Sequence, residues 1–388
     1  TINSEFNIGV GYGALKGNVG SCNVAMGYES QNLGDAAHNF TVGRLAGNNV
    51  QSSNNVLIGE CAARYTLTGS GNNIAIGKRA MHCAGGANHN TVLGNHAGKR
   101  ITTGHCNIFM GYYAGSGGGS GDVTGKDNVV LGTNAGCSLT SAESNVFIGL
   151  SAGKKVSTTG CHIVIGQEAM NDGVVTGTNN IVLGCKAAAD VTSATSFIAI
   201  GRNAGHANAE GGHSIIIGAA AGQTGTDICA NIIIGWEAGY AGSFANGNYN
   251  TILGNQAGCD VTSGCCNTML GILAGTNLTS GDDNVLIGRK AGADGAITGD
   301  NNIFMGTYAG NELTSGSCNI FIGMCAAKQE AVTGNCNIAI GIMAGLKLTS
   351  GMCNVFIGEC AGKCINTQAR NTFIGSRAGH YTTGSDNT

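Results

Sequence analysis

The residues best equipped for chemistry in this chain are its 17 cysteines. Seven of them (Cys22, Cys106, Cys161, Cys266, Cys318, Cys336 and Cys353) share one place. Each stands five residues before a glycine that closes a short apolar run, as in Cys318-Asn-Ile-Phe-Ile-Gly323. Cys318, Cys336 and Cys353 come from consecutive runs, so stacking those runs would stack their sulfurs. Two of these runs carry a further cysteine seven residues on, Cys325 and Cys360. Two chemistries fit such a column. One is a disulfide ladder that hardens the stack, within or between chains. The other is a row of free thiols acting as small, semi-apolar fillers. A strand-to-strand spacing of about 4.8 Å lies within disulfide range, but side chains in parallel register point alike and would strain the bridge. An odd number of cysteines also leaves at least one unpaired within a chain.

His38, His89 and His213 visit the same place, and His162 stands one residue further on. Cys22 with His38, and His89 with Cys106, fall in adjacent runs, so a His/Cys metal site is conceivable on an oligomer axis. None of the C-x2-C or H-x3-H spacings of zinc sites occurs, and no metal or cofactor is assigned. Catalysis has less support still. Asp122, Asp127, Asp227, Asp283 and Asp300 sit in turn-like segments, where a carboxylate ordinarily bonds local backbone. The glycine-rich stretch 117–121 lacks the Lys-Ser/Thr and the following helix of a phosphate cradle. Asn39-Phe-Thr41 and Asn277-Leu-Thr279 match glycosylation sequons, a pattern that arises often by chance. We expect no enzyme.

The element that must position these residues is a repeat. The anchor glycine recurs 22 times, from Gly11 to Gly375, at spacings of 16 to 21 residues and mostly 17. Asn stands four residues before it in 19 of 22 units, His162, Phe197 and Ser214 being the exceptions. Ala stands three residues after it in 21 of 22, and the next residue is Gly in 15. The unit reads Asn-h-x-h-Gly-x-x-Ala-Gly, followed by a polar stretch often written Leu/Val-Thr-Ser/Thr-Gly. Its apolar run is rich in Val, Ile and Phe and is bounded by Asn and Gly, which describes a short strand. Glycines recur too often for a helix of that period. One such strand cannot bury its face, but stacked copies can.

The expected fold is therefore all-β: a parallel β-solenoid of about 22 coils, one array over residues 1–388, incomplete at both ends. At about 4.8 Å per coil it would be a rod of about 100 Å. Asn319, Asn337, Asn354 and Asn371 would form a structural Asn ladder, and Gly323, Gly341, Gly358 and Gly375 the corners. Alternation places Ile320 and Ile322 on one face and Phe321 on the other. We expect the flanking Ile and Val to point inward against a wall of Gly-x-x-Ala-Gly. The middle residues, Phe109, Phe147, Phe304, Phe321 and Phe356, would then face outward, and such a column calls for cover by another copy of the chain.

Composition agrees. With 68 glycines but no proline the chain is not collagen, and 42% hydrophobic residues with a net charge of −3 argue against disorder. The 19 Lys and Arg are scattered singly, so no nucleic-acid partner is expected, and no apolar run approaches the roughly 18 residues of a membrane helix.

Asn-h-x-h-Gly-x-x-Ala at this period resembles the head repeats of YadA-type trimeric autotransporter adhesins. It is similar too to the Asn-Thr-Ala-(Ile/Val)-Gly-x-x-Ala repeats of tail-fibre-like proteins of marine phages and environmental bacteria. Asn72-Asn-Ile-Ala-Ile-Gly77 and Asn335-Cys-Asn-Ile-Ala-Ile-Gly341 carry the likeness most closely. The resemblance covers the whole chain and implies a left-handed parallel β-roll, a homotrimer, and a place in an adhesin or host-contacting fibre. Departures are the longer repeat, the many cysteines and the lack of a visible membrane anchor or chaperone domain. The reading that follows is the shaft of an extracellular, cell-surface or virion fibre that spaces an adhesive or receptor-binding tip from its base. An alternative is an adhesin whose repeat surface itself binds matrix, a host receptor, glycan or another filament. A remote alternative is an ice-binding solenoid, which needs a flat Thr array. Counted from the anchor glycine, Thr varies in register and alternates with Ser, Gly and Asp.

Overall fold

A computed structural model describes residues 5–65, 67–69, 71–118, 121–241, 244, 247–329 and 331–388. Gly119 and Ser120 of the glycine-rich stretch lie outside them. The protein is an all-β parallel β-solenoid of about 22 coils of about 17 residues, and no helix occurs among the described residues. Contacts divide the chain into two units, Thr1–Thr195 and Ser196–Thr388.

Each coil contributes one three-residue strand, and within each unit neighbouring strands pair in parallel and in register. In the first unit Ile74–Ile76, Thr91–Leu93, Ile108–Met110 and Val129–Leu131 run side by side, with Ala75, Val92, Phe109 and Val130 aligned. In the second, Ile303–Met305, Ile320–Ile322, Ile338–Ile340 and Val355–Ile357 align Phe304, Phe321, Ala339 and Phe356. Identical coils satisfy parallel pairing because every backbone group meets the same partner one repeat on.

The direction of the strand faces corrects one expectation. Phe109, Phe147, Phe304, Phe321 and Phe356, expected outside, are all fully buried. The flanking residues point outward instead, and many remain more than a third exposed, such as Ile74, Ile76, Ile108, Ile163, Ile232, Leu270 and Met305. The reason is the narrowness of the coil. A three-residue strand between two turns can send either one side chain inward or two. The space opposite accepts one.

Three columns fill that space. The strand-middle residue is the first, and the near-invariant Ala, fully buried at Ala114, Ala309 and Ala344 among others, is the second. The third comes from the stretch expected to be polar: Val123, Leu139, Val261, Leu278, Leu313, Val332 and Leu348 are fully buried too. The Gly-x-x-Ala-Gly segment is a turn rather than a strand. A glycine after the Ala makes room for the ring in the Phe304 coil, where a Cβ at Gly310 would stand 2.6 Å from it, whereas the Phe321 coil accepts Ala327 in that place. In two coils with a small middle residue, a neighbour is large. Met81 accompanies Ala75 and Phe197 accompanies Ala199, each fully buried, so packed volume is maintained. Like rings stack along the column, Phe304 on Phe321 with centroids 5.0 Å apart.

Candidate functional site

The feature that structure and sequence single out together is the corner at which each strand begins, where three columns run side by side: Cys, Asn and, after the strand, Gly.

The four predicted ladder residues, Asn319, Asn337, Asn354 and Asn371, are fully buried. The Asn337 backbone N–H donates to Asn319 Oδ1 at 2.9 Å, and its Nδ2 donates to the same oxygen at 3.0 Å and to the Gly351 carbonyl at 2.9 Å. Asn354 repeats this on Asn337 Oδ1 at 3.1 and 3.0 Å, and Asn371 on Asn354 Oδ1 at 3.0 and 3.1 Å. Each amide therefore joins the coils before and after it. A buried amide bonded at both ends is far cheaper than one left partly unsatisfied, and a repeated chain of them polarises cooperatively.

The three exceptions behave differently. Ser214 keeps both functions: its Oγ accepts the Asn231 N–H at 3.0 Å and donates to the Ile228 carbonyl at 2.8 Å. His162 keeps them weakly. The Asn180 N–H lies 3.4 Å from His162 Nδ1, and His162 Nε2 lies 3.1 Å from Thr159 Oγ1 within the same coil; the His162 backbone N–H still donates to Asn145 Oδ1 at 3.0 Å. Burial pushes its pKa down to about 4, so the ring is neutral at pH 7. Phe197 has no side-chain acceptor to offer and serves packing instead.

The corner glycines have φ of +130° at Gly323, +132° at Gly341, +131° at Gly358 and +128° at Gly375. A Cβ at Gly341 would stand 2.5 Å from the carbonyl oxygen of Gly358. Both the backbone conformation and the approach of the next coil demand glycine.

Cys318, Cys336 and Cys353 sit just before the ladder asparagines and are exposed, and all 17 cysteines are free thiols. All three have left-handed backbones, φ +60°, +58° and +57°. That conformation turns the backbone N–H back on the preceding coil: Cys336 donates to the Ser317 carbonyl and Cys353 to Asn335, both at 3.0 Å. Burial and then the neighbouring Cys318 and Cys353 thiols push Cys336 up, and burial with Asp282 and Cys266 pushes Cys265 up to about 12. Thiols held protonated in this way are poor nucleophiles. Within the column, Cys336 lies beside Cys318 and Cys353, and it is the Cys336 thiol that is held protonated.

Other predicted residues fall as follows. His89 Nε2 lies 3.5 Å from Asn72 Nδ2. Among the described residues no group of three or more His, Cys, Asp or Glu stands close enough to hold a metal ion, and no helix is long and apolar enough to cross a membrane. Of the five carboxylates singled out, Asp300 bonds between coils, its Oδ1 accepting the Asp282 N–H at 2.9 Å, and Asp122 pairs with Arg100; Asp282, not singled out, likewise accepts the Cys265 N–H at 2.8 Å. Asn39 of the first sequon is a ladder residue, buried, with its Nδ2 donating to the Ser52 carbonyl.

Thr proves to be in register when counted from the buried third column. Thr262, Thr279, Thr298, Thr314, Thr333 and Thr349 each follow Val261, Leu278, Ile297, Leu313, Val332 or Leu348. Variable loop length hides this when the anchor glycine is the origin. The hydroxyls of Thr262, Thr279 and Thr349 donate to carbonyls of the next coil at 2.9 to 3.2 Å. The third column was missed because a lone Leu or Val in a Ser/Thr/Gly stretch carries no alternation; its recurrence once per coil was the available signal.

The chain matches no protein-family model and no curated protein.

Proposed function

We propose that the chain is a shaft segment of an extracellular fibre, on a virion or a cell surface, built from several copies that pack through their strand faces. The observation that carries this reading is the pair of outward apolar positions in nearly every strand, as in Ile74 and Ile76, Ile108 and Met110, or Ile163 and Ile165, each more than a third exposed. Rows of apolar side chains repeating once per coil are best covered by a surface with the same repeat. Another copy of this chain has it. The likeness to YadA-type head repeats supports a left-handed roll and a trimer, and with them a role in spacing an adhesive or receptor-binding tip. Repetition itself favours a spacer, since length needs identical units.

Sedimentation equilibrium of the purified chain tests the reading. A trimer is expected, and Ile338→Lys with Ile340→Lys should dissociate it while leaving the Asn ladder intact. A monomeric wild type overturns it. Surface-binding shafts are separated from spacers by incubating the isolated segment with target cells; no retention favours the spacer. The ice-binding reading loses ground because the Thr hydroxyl hydrogens named above are already engaged by neighbouring carbonyls.

A further inference from the structure

One coil breaks the repeat. Twenty-one residues separate Gly111 from Gly132 where 17 is usual, and the excess lies after Ala114-Gly115. Arg100 fastens the far end of this insertion, its Nε donating to Asp122 Oδ1 at 3.1 Å. Ser116 Oγ donates to the Cys137 carbonyl at 3.3 Å and fastens the near end. Between them opens a cleft of about 280 Å³ lined by Lys99, Arg100, Tyr113, Ser116, Asn134 and Cys137, with Gly117 and Gly118 at its rim.

Three properties of the cleft point to a ligand. Its aromatic side is rigid: the His96 ring stacks on Tyr113 with centroids 4.7 Å apart and planes 3° from parallel, and Tyr112 meets Tyr113 edge-on at 4.6 Å. Its charge is positive in a chain whose net charge is −3, with Lys99 beside Arg100. Arg100 is taken up by Asp122, whereas Lys99 forms no ion pair among the described residues. Small polar groups, the Asn134 amide and the Ser116 hydroxyl, complete the lining. His96 Nδ1, behind Tyr113, is buried with no hydrogen-bond partner among the described residues.

The comparison with Tyr308 sharpens the point. Tyr308 occupies the same place in its coil, two residues after the anchor glycine, with a left-handed backbone like that of Tyr113 (φ +60° and +56°). Arg289 and Lys328 lie over its ring at 4.9 and 4.1 Å. That ring is capped by the protein's own cations, while the cation beside Tyr113 is unpaired.

We propose that this cleft binds an acidic saccharide, a sugar ring carrying carboxylate or sulfate. The ring would lie against Tyr113, its anionic group on Lys99 and its hydroxyls on Asn134 and Ser116. A few convergent polar groups beside a fixed aromatic wall are the usual composition of a small-ligand site, and the unpaired ammonium selects for negative charge. None of these residues belongs to the outward strand columns, so the inference does not depend on assembly and survives if the chain is a monomer.

Calorimetric titration of the full chain with a heparin-derived tetrasaccharide tests it, with cellotetraose and inorganic sulfate as comparison ligands. Saturable binding at one site per chain is expected for the first alone. Tyr113→Leu and Lys99→Gln should each weaken it ~10-fold or more, as loss of a stacking face or a paired charge does, while Tyr308→Leu leaves it unchanged. Leu45 and Leu273 already hold the Tyr113 place with left-handed backbones, so Tyr113→Leu is compatible with the coil. Should it nonetheless fail to fold, Lys99→Gln decides. The inference is overturned by absence of binding, by equal affinity for cellotetraose or sulfate, or by affinity that neither variant changes.

Discussion

The corner column of the solenoid is continuous in one stretch and broken in another. From Asn250 to Asn371 in the second unit every coil supplies an asparagine, and successive backbone N–H groups bond to the preceding side-chain oxygen at 2.9 to 3.1 Å. Elsewhere the column admits His162 in the first unit and Phe197 and Ser214 in the second. The difference shows what the ladder does. A coil tolerates a residue that supplies an acceptor of the right reach, as Ser214 does. It tolerates Phe197 where the ring fills the space over Ala199. Asparagine predominates because its short amide can donate to the preceding coil's Oδ1 as well as to a carbonyl of the next coil while accepting the next N–H, as Asn337 does. The Ser214 hydroxyl makes only the last two contacts.

The comparison is broken most severely at the glycine that closes each strand. Gly341→Ala must move the Gly358 carbonyl as well as hold a glycine-only backbone, and should cost about 4 kcal/mol or more. At Gly86, which is not in the left-handed region, an added Cβ meets only Thr103 Cγ2 at 3.9 Å, so Gly86→Ala should change stability by no more than about 0.5 kcal/mol. Urea denaturation of the two variants measures the gap, and equal losses would mean that steric approach is irrelevant.

Asn337→Ala should come next, at about 3 kcal/mol, because it strands the Asn354 N–H and the Gly351 carbonyl without partners. Ser214→Asn, which restores one asparagine to the column, should be neutral or mildly stabilising. A loss for Ser214→Asn comparable to that of Asn337→Ala would contradict the account of the column.

A smaller effect is expected from pH. In the unfolded chain His162 takes a proton near its ordinary value of about 6.5, whereas the buried ring resists until about 4. The unfolded state therefore binds more protons in that window. The stability tied to His162 is complete above pH 6.5 and is lost as pH falls toward 4. His82, also held down to about 4 by burial and then by Arg79, acts in the same direction. Comparing denaturation midpoints at pH 7 and pH 5, His162→Asn should lose less than the wild type does. An identical loss would remove His162 from the explanation.

The smallest effect belongs to the neighbouring column. Cys336→Ser changes an exposed side chain beside a buried ladder and should shift stability by no more than about 0.5 kcal/mol. Thiol titration of the wild type after unfolding without reductant should count 17 free thiols. A lower count under non-reducing conditions would restore the disulfide ladder.

Much of this was legible in the residues. Asn319, Asn337, Asn354 and Asn371, and the glycines that follow them, declare their columns because identity is what a ladder and a tight corner require. Phe321 misled because alternation along a three-residue strand separates two faces without saying which is inside. The buried Leu348 was hidden in a Thr/Ser/Gly stretch, and the cleft beside Tyr113 was visible only as a long interval.

By itself, then, the sequence determined the period, the strand in each period and the stacking of like on like, since these follow from recurrence alone. Which strand face is buried was decided by the coil's closure, in which Ala and the Leu or Val of the turn leave space for one side chain from the strand and no more. The outward Ile and Val columns, and with them the face that asks for partners, are a consequence of that limited volume.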